Sequence, residues 1–216
     1  MEDLVTIPLF PLSLVAYPSK ALNLHIFEPR YRQLIEECHA ENKPFGIPTF
    51  QEGKALSFGT LMELEEISHT YPDGKMDVKT RGLRPFKVVE YYSVLKDKLY
   101  PGGEVLMMDH YDTQGSQALG EEVIELINKL YLLMQVKKKL PDWQSDFRIF
   151  HIADKLGLSL DQELNLLRIK EEDERLYLVK KHLLEITPHV ENTERMKQRI
   201  KANGHFKNLD PPNFSL

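Results

Sequence analysis

The spacing of apolar residues changes near position 115, and this change limits the possible folds of the chain more than any other feature. Up to about residue 113, prolines at 8, 11, 18, 44, 48, 72, 85 and 101 and glycines at 46, 53, 59, 74, 82, 102 and 103 divide the sequence into short apolar runs. Such punctuation belongs to short strands, because Pro removes a backbone donor and Gly weakens element interiors. From Gln117 onward the apolar residues recur every three or four positions instead, which is the period of amphipathic helices.

In the first half, Phe58, Thr60 and Met62 alternate along one run and Met76, Val78 and Thr80 along another. A period of two places every second side chain on one face of a strand. Pro72-Asp73-Gly74 lies between these runs. Pro presets the first turn angle, Asp bonds its own backbone and Gly tolerates positive φ, so a hairpin turn is expected over Tyr71–Lys75. Further strands are expected at Phe86–Tyr92 and Glu104–His110. One helix interrupts the pattern: Arg30–Ala40 sets Tyr31, Leu34, Ile35 and Cys38 on one stripe, and Pro29 suits a helix entrance, where its missing N–H is not needed.

In the second half, Leu119, Val123, Leu126, Ile127, Leu130, Leu133 and Met134 predict one long helix. A second is expected over Asp146–Lys155, ended by Gly157, and Ser159 with Gln162 forms a capping box for a third. Leu176, Val179, Leu183 and Ile186 mark another, which Pro188 is expected to stop. Glu191–Ala202 reads as a final polar helix with Asn203-Gly204 as its C-cap. The fold class is therefore α+β, with a β-rich domain over 1–113 that holds one helix near 30–40, a helical bundle over 117–204 and an irregular tail over 205–216.

Composition excludes several classes. With 42% hydrophobic and 28% charged residues the chain is expected to fold, and a net charge of −5 gives no general attraction for nucleic acid. Glu2 and Asp3 stand where a signal peptide carries bases, and no apolar run approaches the roughly 18–20 residues of a membrane span, so a cytoplasmic protein without a membrane partner is expected. The single cysteine, Cys38, has no disulfide partner and no C-x-x-C spacing. His-Glu-x-x-His, Gly-x-Ser-x-Gly and the phosphate loop G-x-x-x-x-G-K-[ST] are all missing, since Gly53-Lys54 and Gly74-Lys75 are followed by Ala and Met. No cofactor, no metal site and no catalytic residue is expected.

Three segments carry a more specific signal: Ile7-Pro8-Leu9-Phe10-Pro11-Leu12, then Leu24-His25-Ile26-Phe27-Glu28-Pro29-Arg30-Tyr31-Arg32, then Phe45-Gly46-Ile47. Their order and spacing resemble the opening of the Lon protease N-terminal, substrate-binding domain family. The resemblance continues through Gly59-Thr60-Leu61, the Pro72-Asp73-Gly74 turn and Thr80-Arg81-Gly82-Leu83-Arg84-Pro85-Phe86, where Pro85 departs from the family's strand. It implies a PUA-like β-barrel followed by a helical bundle, in a stand-alone member without the family's ATPase and protease parts. Pro8, Phe10, Pro11, His25, Phe27, Glu28, Pro29, Arg30, Tyr31, Phe45, Gly46 and Gly82 form its structural signature.

Individual residues support structural roles first. Glu28 and Arg30 flank Pro29 and are expected to pin a loop onto a helix start. His25, in an apolar run, is expected to be a hydrogen-bonded core residue. The acids Glu171-Glu172-Asp173-Glu174 suit a solvated first helical turn, and Lys137-Lys138-Lys139, with Lys129 before it, a solvated last turn. Candidate peptide-binding residues are apolar groups at expected exposed places: Tyr71 and Pro72 in the turn, Leu99, Tyr100 and Pro101 before a Gly pair, and Trp143 between helices. A groove of such residues beside a sheet edge would take an extended peptide by strand addition. The expected function is non-enzymatic recognition of unfolded or degron-bearing polypeptides, with a full-length ATP-dependent protease as a further partner. The alternatives are RNA binding through the barrel and Lys137–Lys139, and a small-molecule enzyme whose mark would be a deep pocket with two displaced pKa values.

Overall fold

The computed structural model describes residues 4–108, 114–137, 139–144 and 146–205, the last five of these as backbone only. Two compact units emerge: one from the described residues up to Gly115 together with Asp146–Arg175, the other from those of Ser116–Ser145 together with Leu176 onward. The helical segment 146–175 thus belongs with the β-rich part, and the units are not consecutive along the chain.

The first unit holds six strands and one α-helix before the helical segment: β1 (Leu4–Pro8), β2 (Ala21–Ile26), α1 (Pro29–Glu41), β3 (Phe45–Gln51), β4 (Lys54–Thr70), β5 (Met76–Tyr92) and β6 (Gly102–Met107). All strand pairs are antiparallel, in the order β1-β6-β5-β4-β3, with β2 added to β5. The sheet is not a closed barrel: among the described residues its end strands β1 and β3 share no ladder, and the chain just after β1 meets β3 through isolated parallel bridges at Leu9–Gly46 and Leu12–Thr49. His110, expected in the last strand, lies outside the described residues.

Gly82 explains how β5 serves two sets of neighbours. Residues 76–81 of this strand pair with β2 and with the far half of β4, whereas Phe86–Tyr92 pair with β6. The ladder slips between these halves, beside Leu61 and Met62. At the slip the Gly82 N–H donates to the Lys20 carbonyl at 2.9 Å and its own carbonyl accepts from Ser19 at 2.8 Å. A Cβ at Gly82 would collide with the Tyr17 carbonyl oxygen, so only glycine lets the loop approach this closely. Pro85 does not break the strand: it stands opposite Thr60, and its carbonyl accepts from the Met108 N–H at 3.0 Å.

Helix α1 follows the expected pattern, with Pro29 in its first turn and Tyr31, Leu34, Ile35 and Cys38 buried. They pack into a core with Phe10, Ile26, Phe45, Ile47, Met62, Met76, Val78 and Tyr100. Full burial of Leu34 and Ile35 contributes about 1.5–3 kcal/mol each. Ile7, Leu9, Leu61, Phe86, Val105 and Met107 form a second cluster.

The Asp146–Lys155 stretch is not an α-helix but two 3-10 turns, Ile149–His151 and Ala153–Lys155, after which Gly157 takes a φ of 71°. Helix α3 then starts at Leu160 and runs to Arg168, with the expected capping box: Ser159 Oγ accepts from the Gln162 N–H at 3.2 Å, and Gln162 Oε1 from the Ser159 N–H at 2.8 Å. Helix α4 runs unbroken from Glu172 to His205 and replaces the two helices expected on either side of Pro188. Both Pro188 and Leu184, whose carbonyl the missing N–H would have met, are exposed, so water can satisfy that carbonyl.

In the second unit, α2 (Gln117–Leu133) buries Gly120, Val123, Ile124, Ile127, Leu130 and Tyr131, while Met134 is exposed. Helix α4 buries Leu176, Val179 and Leu183, and Lys180 pairs with Glu122 of α2 at 2.7 Å. Trp143 packs on Gly120, where any Cβ would meet its ring.

Candidate functional site

Strand alternation creates the most distinctive exposed surface of the first unit. Along β2 the side chains of Leu22, Leu24 and Ile26 turn inward, and Ala21, Asn23 and His25 turn outward, followed by the exposed Phe27. His25 stands opposite Asp77 of β5, and Asp77 opposite His69 of β4, so the three form one row across the strands. His25 is therefore a surface residue and not the core histidine expected, because the alternation outweighs the apolar character of its neighbours.

This row is tied together through one carboxylate. Asp77 accepts from His25 Nδ1 at 2.6 Å and from the Tyr71 hydroxyl at 2.8 Å. The rings pack as well: His69 meets Tyr71 edge-on at 4.3 Å, and His25 lies 5.7 Å from Tyr71 and 6.2 Å from Phe27. The bond from His25, and then that from Tyr71, hold the Asp77 carboxyl below its usual range, while the bond to Asp77 raises the Tyr71 phenol. Phe27 is 58% and Tyr71 37% exposed, so the row forms an aromatic patch open to solvent.

The turn beside it is built as expected. The Gly74 N–H donates to the Tyr71 carbonyl at 2.9 Å, Gly74 takes a φ of 80°, and the Lys75 N–H donates to Asp73 Oδ1 at 3.2 Å. Arg32 of α1 donates to the Asp73 carbonyl at 2.9 Å and so braces the turn from another element. Pro72 is exposed at its tip.

Away from the patch the same outward face is polar: Lys79 pairs with Glu66 at 2.7 Å and Arg81 with Glu65 at 2.5 Å. The two edges of this three-strand arm also differ. The β4 edge carries Glu63, Glu65 and Glu66 and two register slips, which are the usual guards against strand addition. The β2 edge has a strand on one side only, among the described residues, and carries no acid or lysine.

The remaining candidates do not join this patch. Leu99 is 60% exposed, and its N–H donates to Gln33 of α1 at 3.0 Å. Tyr100 and Pro101, expected to be exposed, are buried. Tyr100 packs into the core under α1 and donates its hydroxyl to Glu37 at 2.5 Å, a partner 63 residues away that no local pattern announces. Trp143 belongs to the second unit. His69 and Asp77 were not singled out by sequence, although the alternation that turns Tyr71 outward also turns His69 outward. The signature residues serve the scaffold: Phe10 packs on Tyr31 with ring centres 4.1 Å apart, Arg30 pairs with Glu28 at 2.7 Å, and Phe45 and Gly46 are buried.

Two further polar clusters bear on function. Glu172, expected to be solvated, is fully buried: it accepts from the Ile149 N–H at 2.7 Å and from Arg175 Nε at 2.7 Å, while Arg175 also donates to the Ile169 carbonyl at 2.9 Å. This pair locks the start of α4 onto the 3-10 segment. A cleft of about 210 Å³ is lined by Tyr17, Lys20, Asp154 and Glu163 among apolar residues. Burial raises both Tyr17 and Glu163; Lys20 pairs with Asp154, and the Tyr17 hydroxyl donates to the Glu163 main-chain carbonyl at 3.4 Å. Among the described residues no group of three His, Cys, Asp or Glu side chains could hold a metal ion, and no helix is long and apolar enough to cross a membrane.

The comparisons with known proteins agree with this architecture. A crystal structure of a Lon N-terminal domain protein from Xanthomonas campestris superposes with a TM-score of 0.62 and 26% identity, covering 80% of this chain and 95% of that one. The N-terminal domain of Mycobacterium avium complex Lon protease shares the fold, with a TM-score of 0.59, at 16% identity over 83% of this chain and 98% of that one. In sequence, the chain is 24% identical over 220 residues to a LON peptidase N-terminal domain and RING finger protein of Schizosaccharomyces pombe, a match covering 80% of this chain and 44% of that relative's length. The model of the ATP-dependent protease La (LON) substrate-binding domain matches residues 6–185, which takes in the end of β1, β2 to β6, α1 to α3 and the start of α4, so the chain belongs to that substrate-binding family.

Proposed function

We propose that the protein recognises extended, apolar-containing segments of unfolded or degron-bearing polypeptides, without catalysis of its own, at the β2 edge and the aromatic patch. The observation that carries this reading is the coincidence of a strand edge without acids or lysines, paired on one side only among the described residues, with exposed Phe27 and Tyr71 at its end. An added strand would gain main-chain hydrogen bonds along Ala21–Ile26, and its alternate side chains would reach the rings. The His25–Asp77–Tyr71 bonds hold the rings in place before binding, so little side-chain ordering is required. The family's substrate-binding character supports the same reading. In this view the protein works in cytoplasmic protein quality control, as an adaptor that delivers cargo to a full-length ATP-dependent protease.

Anisotropy with labelled, apolar-rich peptides tests the proposal. Phe27→Ala with Tyr71→Ala is expected to weaken binding about tenfold or more, the scale of two aromatic anchors. N-methylation of alternate peptide amides is expected to weaken it to a similar degree, because it removes the ladder donors. Unchanged affinity in both experiments would rule the site out.

A further inference from the structure

A second surface lies on the other unit, where α2 ends. The helix stops at Leu133, about a turn before the Lys137–Lys139 run expected to close it, and Gln135 adopts the left-handed conformation with a φ of 57°. The Gln135 N–H donates to the Leu132 carbonyl at 3.1 Å and the Val136 N–H to the Tyr131 carbonyl at 2.9 Å, which is a Schellman closure made without glycine. The chain then returns along the helix. Asn128 holds it there: its Oδ1 accepts from the Leu140 N–H at 2.8 Å, and its amide donates to the Leu140 carbonyl at 3.5 Å.

Beside the end of the helix lies a hollow of about 460 Å³, lined by Asn128, Tyr131, Leu132 and Val136, with Lys129, Lys137 and Lys139 as its charged residues. Leu132 is 78% and Val136 42% exposed, so the apolar lining faces solvent. The lysines do not sit in the last turn of the helix, as sequence had suggested; α2 has no basic residue there, and Lys137 and Lys139 follow its end. Lys138 lies outside the described residues. A local charge of one sign thus surrounds an apolar floor in a chain whose net charge is −5.

We propose that this hollow docks an acidic polypeptide segment that carries a large aliphatic or aromatic side chain. The apolar side chain would cover Leu132 and Val136, and flanking carboxylates would meet the three ammonium groups. An uncharged apolar segment would leave those ammoniums facing it without counterions. Single-stranded nucleic acid needs open ring faces for its bases, whereas Tyr131 is only 7% exposed and the open floor is aliphatic. The fit also has a direction: beyond Asn128 and Lys139 the neighbouring hollow is lined by Glu121, Glu125 and Asp142, so the acidic run must lie on the Leu132 side. The site does not depend on the aromatic patch of the first unit.

The test uses the whole chain and a fluorescein-labelled peptide of about a dozen residues in which Glu and Asp alternate with Leu and Phe. Binding is expected in the micromolar range and to weaken as salt is added. Combined Lys129→Glu, Lys137→Glu and Lys139→Glu is expected to reduce affinity more than about tenfold, and Leu132→Ser about fivefold. These side chains are on the surface, and an unchanged circular dichroism spectrum would confirm that the variants fold. Phe27→Ala with Tyr71→Ala should leave this binding unchanged, which separates it from the peptide site of the first unit. The proposal fails if a lysine-for-acid version of the peptide binds equally well, or if the charge reversals have no effect. It also fails if single-stranded RNA binds more tightly than the peptide, or if Leu132→Ser abolishes a self-association that occupies the hollow.

Discussion

Glu172 shows how much one contact can change the meaning of a residue. It stands among four consecutive acids, and three of them fit the solvated helix start that the sequence suggests. The fourth is buried with Arg175 because the Ile149 N–H and the Phe150 ring, whose centre lies 4.5 Å from the guanidinium, supply partners that water would otherwise provide. Removal of one member of a buried pair costs about 3–5 kcal/mol, since it leaves the other charge uncompensated. Arg175→Ala is therefore expected to lower the urea midpoint by an amount equivalent to that loss, and a change below about 1 kcal/mol would contradict the buried pairing. Arg175→Met with Glu172→Leu should cost clearly less than the single change, because no orphan charge remains. A run of acids gives no local sign of which one is buried. His25 differs, because Asn23, His25 and Phe27 alternate with Leu22, Leu24 and Ile26, so its outward direction was legible in the strand period.

At the scale of elements, the parts readable from sequence were those whose determinants are local. The α1 stripe, the Tyr71–Lys75 turn and the Ser159–Gln162 capping box rest on residues within a few positions of one another. What escaped was decided at a distance or by an unusual residue. Gln135 takes a left-handed cap where glycine would have announced the end of α2, and Pro188 continues a helix because its outer face meets water. The docking of α1 is also a long-range matter. Glu37 accepts from Lys98 at 2.6 Å, from Tyr100 at 2.5 Å and from Gln33 at 2.9 Å, and ties the helix to the segment before β6. The bonds from Lys98 and then Tyr100 lower the Glu37 carboxyl from its ordinary value of 4.5. A carboxylate with a lowered folded value stabilises the fold fully above its unfolded pKa and loses that contribution as pH falls through the folded one. Glu37→Gln is accordingly expected to be less stable than the parent at neutral pH, with the difference shrinking as pH falls below 4.5. A difference independent of pH would contradict the pairing.

For the whole molecule, the order of the motifs was enough to suggest the family, and the family model spans residues 6–185. The order of elements along the chain did not show that Asp146–Arg175 packs with the β-rich unit, because that grouping depends on tertiary contacts such as those of Phe150 with Tyr17 and Asp154 with Lys20. The patch on the first unit became visible only when register put residues from three strands in one row. Its proposed role can be checked most directly by amide hydrogen exchange, with and without a saturating apolar-rich peptide. If an extended segment adds to the sheet, the amides of Ala21–Ile26 that face away from β5 will exchange more slowly in the complex, and those on the Glu63–Thr70 edge of β4 will not change. Protection confined to the β4 edge, or a bound peptide that leaves every β2 amide as it was, would contradict recognition by strand addition.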